Sequence, residues 1–299
     1  MFLIYINDIG NIPNLPSRPI LFADDANLFV KSQSIDNLQK VSQEAVSKIA
    51  VWILSNRLTL NIGKTNYIIF SPRSKHASTT DFHLSINSIA IPQVNYTKFL
   101  GVFIDSKLDW THHISELCIS LRKFVGIFYK ISFFTPPNVL KLLYFSLIYS
   151  KILYGIEVYG NTYQTYLHDV MILNNRILRI IQKQDRSSHV NDLYKTYNTL
   201  PIDKLFKLRM LLHAHKIVHR PFTLPKFMQD RNVLNNQIHQ YQTRASSNFH
   251  RTSYQSTTGN KSSSNLVAIF WNSLSAHVKA IKSELSFKKV VMIWQWQDT

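Results

Sequence analysis

Two adjacent carboxylates enclosed by two apolar, β-prone runs constrain this chain more than any other feature. Ile20-Leu21-Phe22 and Leu28-Phe29-Val30 flank Ala23-Asp24-Asp25-Ala26-Asn27, the pattern of a hairpin with two acids at its tip. Like charges at contact distance raise each other's pKa or demand a cation. The pair therefore reads either as an ordinary acidic turn, since Asp and Asn are turn formers, or as a metal-binding tip.

The pattern around this hairpin is mixed. Pro13, Pro16 and Pro19 break the chain before it, after an opening run Phe2–Ile6 that starts at full hydrophobicity without a cap. From Ser34, an N-cap residue, Ile35, Leu38, Val41, Ala45, Ile49, Trp52 and Ile53 recur mostly at three- and four-residue steps, one face of a helix ending near Asn56. Tyr67-Ile68-Ile69-Phe70 reads as a strand ended by Pro72. Phe82, Leu84 and Ile86 alternate into Asn87-Ser88 and on to Ile89 and Ile91, a hairpin with Ser where Gly is usual. Phe99 to Ile104 reads as a further tight hairpin around Gly101, so residues 20–104 form a small α+β unit.

Beyond Trp110 the period becomes helical. Ile114, Leu117, Leu121, Val125, Phe128 and Ile131 make one face, Pro136-Pro137 punctuate, and Val139 to Leu153 make a second helix. A third runs near Leu167 to Ile181 with Arg176 and Arg179 on its surface, and a fourth near Ile202 to Val218. Ser256 to Asn265 reads as a mobile loop. Terminal helices near 265–277 and 284–294 carry Trp271, Phe287 and Trp294 as apolar anchors. The expected division is 1–110, 111–220 and 221–299.

Charge changes where the period does. Residues 1–110 hold 10 basic and 8 acidic groups, net +2, whereas residues 111–299 hold 24 and 9, net +15. The first part can house carboxylate chemistry, and the second points to a polyanion, with nucleic acid ahead of a membrane surface. The single cysteine, Cys118, excludes an internal disulfide and a zinc knuckle near His239 or His250, and reads as a buried thiol. His112-His113 reads as a helix start or a surface pair. The first ten residues lack a basic leader and a small-residue cleavage site, and no apolar stretch approaches the length of a membrane span. The expectation is an intracellular protein, nuclear or cytoplasmic, with no membrane partner.

As a set, FLIYINDI (2–9), LFADDANLF (21–29), WILSNRLTLNIGKTNYIIF (52–70), YTKFLGVFIDSKLDW (96–110) with THHI, TRASSNFHRT and FWNSLSAHVKAIKS resemble the reverse transcriptases of non-LTR, LINE-type retrotransposons, especially jockey-like elements. They fall in that family's order and cover nearly the whole chain. The resemblance implies an α+β fold: a partial polymerase palm (1–110), made of the FADD hairpin, a helix and short antiparallel strands, then a mainly helical thumb and connecting region (111–220) and a basic C-terminal extension (221–299).

It also implies a chemistry. Asp24 would be a ligand and Asp25 its supporting neighbour in a site for two Mg2+ ions. Lys64 matches the position near the incoming triphosphate, with a solvated turn lysine as the alternative. Phe99-Leu100-Gly101 looks like the primer grip, and Arg122, Lys123, Lys130, Arg176 and Arg179 would track the backbone of an RNA template and DNA primer. Tyr and Phe between these cations are candidates to stack bases, with a core stripe at helical spacing as the commoner reading. The family's earlier metal-binding Asp strand, its fingers and the glycine motif before FLIYINDI are not among these residues. The expectation is a truncated reverse transcriptase, inactive alone, whose missing palm and fingers a separate chain would supply. The alternative is a non-catalytic basic RNA- or DNA-binding protein derived from the element.

Overall fold

A computed structural model describes residues 6–70, 82–238 and 245–297. Phe2 to Tyr5 of the opening run, Pro72 and His239 lie outside them. The chain divides into two compact units, Met1–Leu108 and Asp109–Thr299.

In the first unit, β1 (Arg18–Phe22) and β2 (Asp25–Phe29) form an antiparallel hairpin with Phe22 opposite Asp25 and Arg18 opposite Phe29. Ser34 caps α1 (Ile35–Ser55) by accepting a hydrogen bond from Asn37 N at 3.3 Å. Its apolar stripe, with Ala50 buried and Ile35, Leu38 and Val46 half-buried, packs on the hairpin of β3 (Leu84–Ile86) and β4 (Ile89–Ile91), which contributes Leu84, Ile86 and Ile91, and on Phe82. Asn87 and Ser88 take the turn at φ 49° and 65°, the two left-handed positions of a two-residue hairpin. Gln43 ties helix to strand: its Nε2 donates to Ser85 O at 2.8 Å and its Oε1 accepts from Ser85 N at 3.0 Å. A third hairpin, β5 (Tyr96–Phe99) and β6 (Val102–Asp105), turns through Leu100 and Gly101, both at positive φ. The hairpins form three separate two-stranded sheets.

The strand expected at Tyr67–Phe70 reduces to one parallel bridge, Tyr67 to Gln93. Tyr67 N donates to Pro92 O and Val94 N to Tyr67 O.

In the second unit, α2 (Thr111–Ile131) buries Ile114, Leu117, Leu121, Val125 and Phe128 as its period requires and packs most extensively on α4 (Gln164–Ile181). The expected helix 139–153 is composite: α3 is α-helical over Pro137–Leu143, π-helical over Tyr144–Tyr149 and α-helical again over Ser150–Leu153. Buried Leu140, Tyr144, Ile148 and Ile152 repeat every four residues. Four residues overshoot an α-helical turn by about 40°, so the row would wind off the core, and the wider π turn takes that rotation back. After α5 (Val190–Thr196) comes α6 (Ile202–His219), whose ten buried residues surround it on nearly all sides.

The C-terminal helices α7 (Ser263–Asn272) and α8 (Glu284–Gln297) pack on α6, burying Trp271 and Phe287. The loop expected at Ser256–Asn265 is instead a helical turn, Thr257–Asn260, followed by the start of α7. Ser256 Oγ and Ser262 Oγ cap the two starts, accepting from Gly259 N and Asn265 N, so serines that read as loop composition act as N-caps. The segment before them is held to α7: Asn272 exchanges two hydrogen bonds with the Phe249 backbone, and Trp271 Nε1 donates to Ser247 O.

Candidate metal site and nucleic-acid surface

The acidic tip follows from the tightness of its turn. Only Ala23 and Asp24 connect β1 to β2, and Ala23 reaches φ 52°, a conformation an L-residue adopts at some cost. Asp24 occupies the second turn position and Asp25 the first strand position, so the two acids are consecutive at the hairpin tip. Both are exposed, and neither makes a hydrogen bond or ion pair with a described residue. Cross-strand pairing puts Arg18, Ile20, Phe22, Asp25 and Phe29 on one face, where Ile20, Phe22 and Phe29 are 42%, 58% and 50% exposed. The acids thus border an apolar, uncovered sheet face.

As donors, two carboxylates suit a hard cation such as Mg2+, which takes one or two protein carboxylates and fills its other positions with water and phosphate oxygens. Among the described residues no group of three or more His, Cys, Asp or Glu is close enough to hold a metal. The tip therefore offers such a cation two carboxylates and no third acidic, histidine or cysteine ligand among the described residues.

Lys64 closes a single 3-10 turn, Ile62–Lys64, with its side chain exposed. Phe99, Leu100 and Gly101 lie at the β5–β6 turn, Gly101 at φ 84° with its backbone open to solvent. No described hydrogen bond or ion pair joins the acidic tip to Lys64 or to residues 99–101, which belong to different hairpins and turns of the unit.

In the helical unit, Arg122, Lys123 and Lys130 are exposed on α2 and Arg176 on α4. Arg179 departs from its expected surface position. It is half-buried and donates from Nη2 to Ser188 O at 3.2 Å, so it braces the 185–189 loop. His113 is not a surface residue either: it is 8% exposed with its ring 4.7 Å from that of Tyr159, and burial, then His112, holds its pKa below the usual value. Cys118 is buried as expected, and burial raises its thiol pKa, with Asp169 adding to the effect and Arg122 opposing it.

Some surface features of α2 were not legible as such. Tyr129, between the cations, reads first as core but is 60% exposed, and Phe133 and Phe134 in the turn after the helix are 66% and 91% exposed. Gly126, on the same side as the cations, was the available signal, because a packed helix has little reason to carry glycine there.

The chain is similar to RNA-directed DNA polymerases of non-LTR retrotransposons. It is 24% identical over 165 residues to the probable RNA-directed DNA polymerase from transposon X-element of Drosophila melanogaster, covering 54% of this chain and 18% of that protein. It is 27% identical over 166 residues to the RNA-directed DNA polymerase from mobile element jockey of the same fly, covering 54% and 17%, and 25% over 191 residues to that of Drosophila funebris, covering 60% and 20%. The matches span about a fifth of the length of these relatives. No protein-family profile and no solved structure matches the chain.

Proposed function

We propose that these 299 residues are part of an RNA-directed DNA polymerase of a jockey-like non-LTR retrotransposon, supplying one side of its metal site, its primer grip and a thumb-like helical unit. The observation that carries the reading is the two-residue turn that presents Asp24 and Asp25 together, in a chain similar to three such polymerases. In the reaction the primer 3′-hydroxyl attacks the α-phosphorus of a nucleoside triphosphate, the new P–O bond forms as pyrophosphate leaves, and the hydroxyl proton departs. Bound divalent cations supply Lewis-acid activation of that hydroxyl and neutralise the leaving group. Asp24 would hold such a cation through its carboxylate oxygens, with Asp25 supporting it from the adjacent strand position. Lys64 places positive charge, and a transferable proton, beside the leaving pyrophosphate. The Gly101 turn lets backbone approach the primer end, where a Cβ would intervene. Arg122, Lys123, Lys130 and Arg176 contact phosphates of the RNA template and DNA primer, contacts that give affinity without reading sequence.

The polypeptide alone does not polymerise in this reading, because Asp24 and Asp25 are the only acids assigned to the site and holding two cations would need a further ligand. Another segment supplies that ligand and the fingers. A primer-extension assay with Mg2+ tests this on the 299-residue chain and on a longer chain containing the rest of the palm. No extension by the first, and extension by the second that Asp24→Ala abolishes, is the expected result. Extension by the 299 residues alone would overturn the incompleteness, and an active Asp24→Ala enzyme would overturn the metal assignment.

The +15 net charge of residues 111–299 favours a second reading, a non-catalytic nucleic-acid-binding protein. It stands if Asp24→Ala changes nothing while Arg176→Glu with Lys123→Glu abolishes RNA binding. Among the described residues no helix is long and apolar enough to cross a membrane.

A further inference from the structure

We infer that the outer face of α2 is a binding surface for a single-stranded stretch of RNA, with bases stacked on Tyr129, Phe133 and Phe134 and phosphates held by Arg122, Lys123 and Lys130. This deepens the reading above and rests on it for the nature of the ligand. Beside and opposite the packed residues, the helix carries Ile119, Arg122, Lys123, Gly126, Ile127, Tyr129 and Lys130, every one exposed. The only acid on the helix is Glu116, near its start.

Three features of this face point to the same occupant. First, Arg122, Lys123 and Lys130 span about 12 Å of the helix axis within a region of net charge +15, which selects a polyanion over a neutral partner. Second, Tyr129 near the end of the helix and Phe133 and Phe134 in the turn that follows it are exposed. Tyr129 and Phe133 meet edge to face at 5.6 Å and 85°, and Phe134 beside them is 91% exposed. Adjacent exposed aromatics next to cations match the chemistry of unpaired bases, whose faces stack on such rings whatever the sequence, whereas paired bases keep their faces inside a duplex. Third, Gly126 sits between the cations, and a Cβ built on it would meet nothing within 4 Å. Packing therefore gives no reason for a residue that weakens a helix relative to alanine. A bare stretch of helix there lets a sugar-phosphate backbone come closer than any side chain would allow.

Fluorescence anisotropy of the full chain with labelled oligouridylate, an abasic strand of equal length and an RNA duplex tests the assignment. Tyr129→Ala with Phe134→Ala is expected to weaken oligouridylate binding roughly tenfold or more, while leaving the abasic strand and the duplex nearly unchanged. Lys123→Gln with Lys130→Gln should lower the salt dependence for every probe, by about 0.7 for each phosphate no longer neutralised on a single strand. Gly126→Ala should raise the melting temperature and still weaken oligouridylate binding, a combination that misfolding cannot produce. Unchanged oligouridylate affinity in the aromatic variant, or equal losses on the abasic strand and duplex, would overturn the inference. So would a face whose substitution breaks a dimer in sedimentation while RNA affinity holds, since it would then belong to a second copy of the chain. Failure of the wild-type chain to bind any of the three probes would instead remove the nucleic-acid reading on which the inference rests.

Discussion

Replacing Asn174 should destabilise the helical unit by an amount that its hydrogen bonds set. Asn174 is 2% exposed. Its Oδ1 accepts from Tyr144 OH at 3.1 Å, its Nδ2 donates to Tyr194 OH at 2.9 Å, and Tyr194 OH donates to Asn175 Oδ1 at 2.7 Å. The network ties the π segment of α3 to α4 and α5. In Asn174→Leu, Tyr194 keeps its acceptor, but the hydroxyl of Tyr144, a residue with 0% exposure, loses its only described partner. An orphaned buried donor costs about 1–3 kcal/mol, and loss of the second bond adds about 1 kcal/mol. The expected change is therefore about 3 kcal/mol, or a fall of roughly 6–12 °C in melting temperature for a unit of this size. Tyr144→Phe removes the orphan, so the double variant should recover about 1–2 kcal/mol relative to Asn174→Leu. Denaturant titration followed by circular dichroism of the single and double variants measures both numbers. A single variant within about 1 kcal/mol of the parent, or a double variant no more stable than the single one, would refute the reasoning.

Three further outcomes are expected. Burial above all, countered in part by the bond to Ile281 O, lowers the pKa of His215 below its usual 6.5; the unfolded chain then binds more protons, so stability is present above about pH 6.5 and is lost as pH falls through the lower folded value. Denaturation midpoints measured from about pH 7 to pH 5 should show this decline, and His215→Gln should flatten it. Gly160→Ala places a Cβ 2.5 Å from Phe206 Cδ2 and 2.6 Å from Ile156 O, which should cost about 1–3 kcal/mol in the same titration. Cys118, 3% exposed with a raised thiol pKa, should react with Ellman's reagent only after denaturant is added, and rapid labelling of the native chain would contradict its burial.

Local patterns that specify their own partners were legible. The β1–β2 tip, the Asn87-Ser88 turn and the stripes of α1 and α2 follow from periodicity and turn chemistry within a dozen or so residues. Features that depend on distant partners were not. Tyr67–Phe70 has strand composition, but its pairing is limited to the one bridge from Tyr67 to Gln93. Gln43 looks like a solvated helix residue until Ser85 is brought to it, and Arg179 looks like surface until Ser188 folds back. Serines 256 and 262 were hidden as caps inside a polar run. At the candidate site, the identity and adjacency of Asp24 and Asp25 were readable because they share one turn. The relation of Lys64 and residues 99–101 to that tip was not, because it rests on tertiary placement that no spacing rule encodes.

The π segment of α3 carries a consequence for how freely this stretch can change in length. Leu140 and Ile152 are both buried and lie twelve positions apart, which on a plain α-helix would put them about 120° apart around the axis. Eleven positions would bring them within about 20° of one line. Loss of a single residue between Leu143 and Ser150 would therefore let the widened turns close into ordinary α-helix while both ends keep their faces toward the core. Loss of two would swing one end outward. Members of the lineage that differ here by one codon should fold alike, so a single-residue gap in this helix would mark drift in length without a change of architecture.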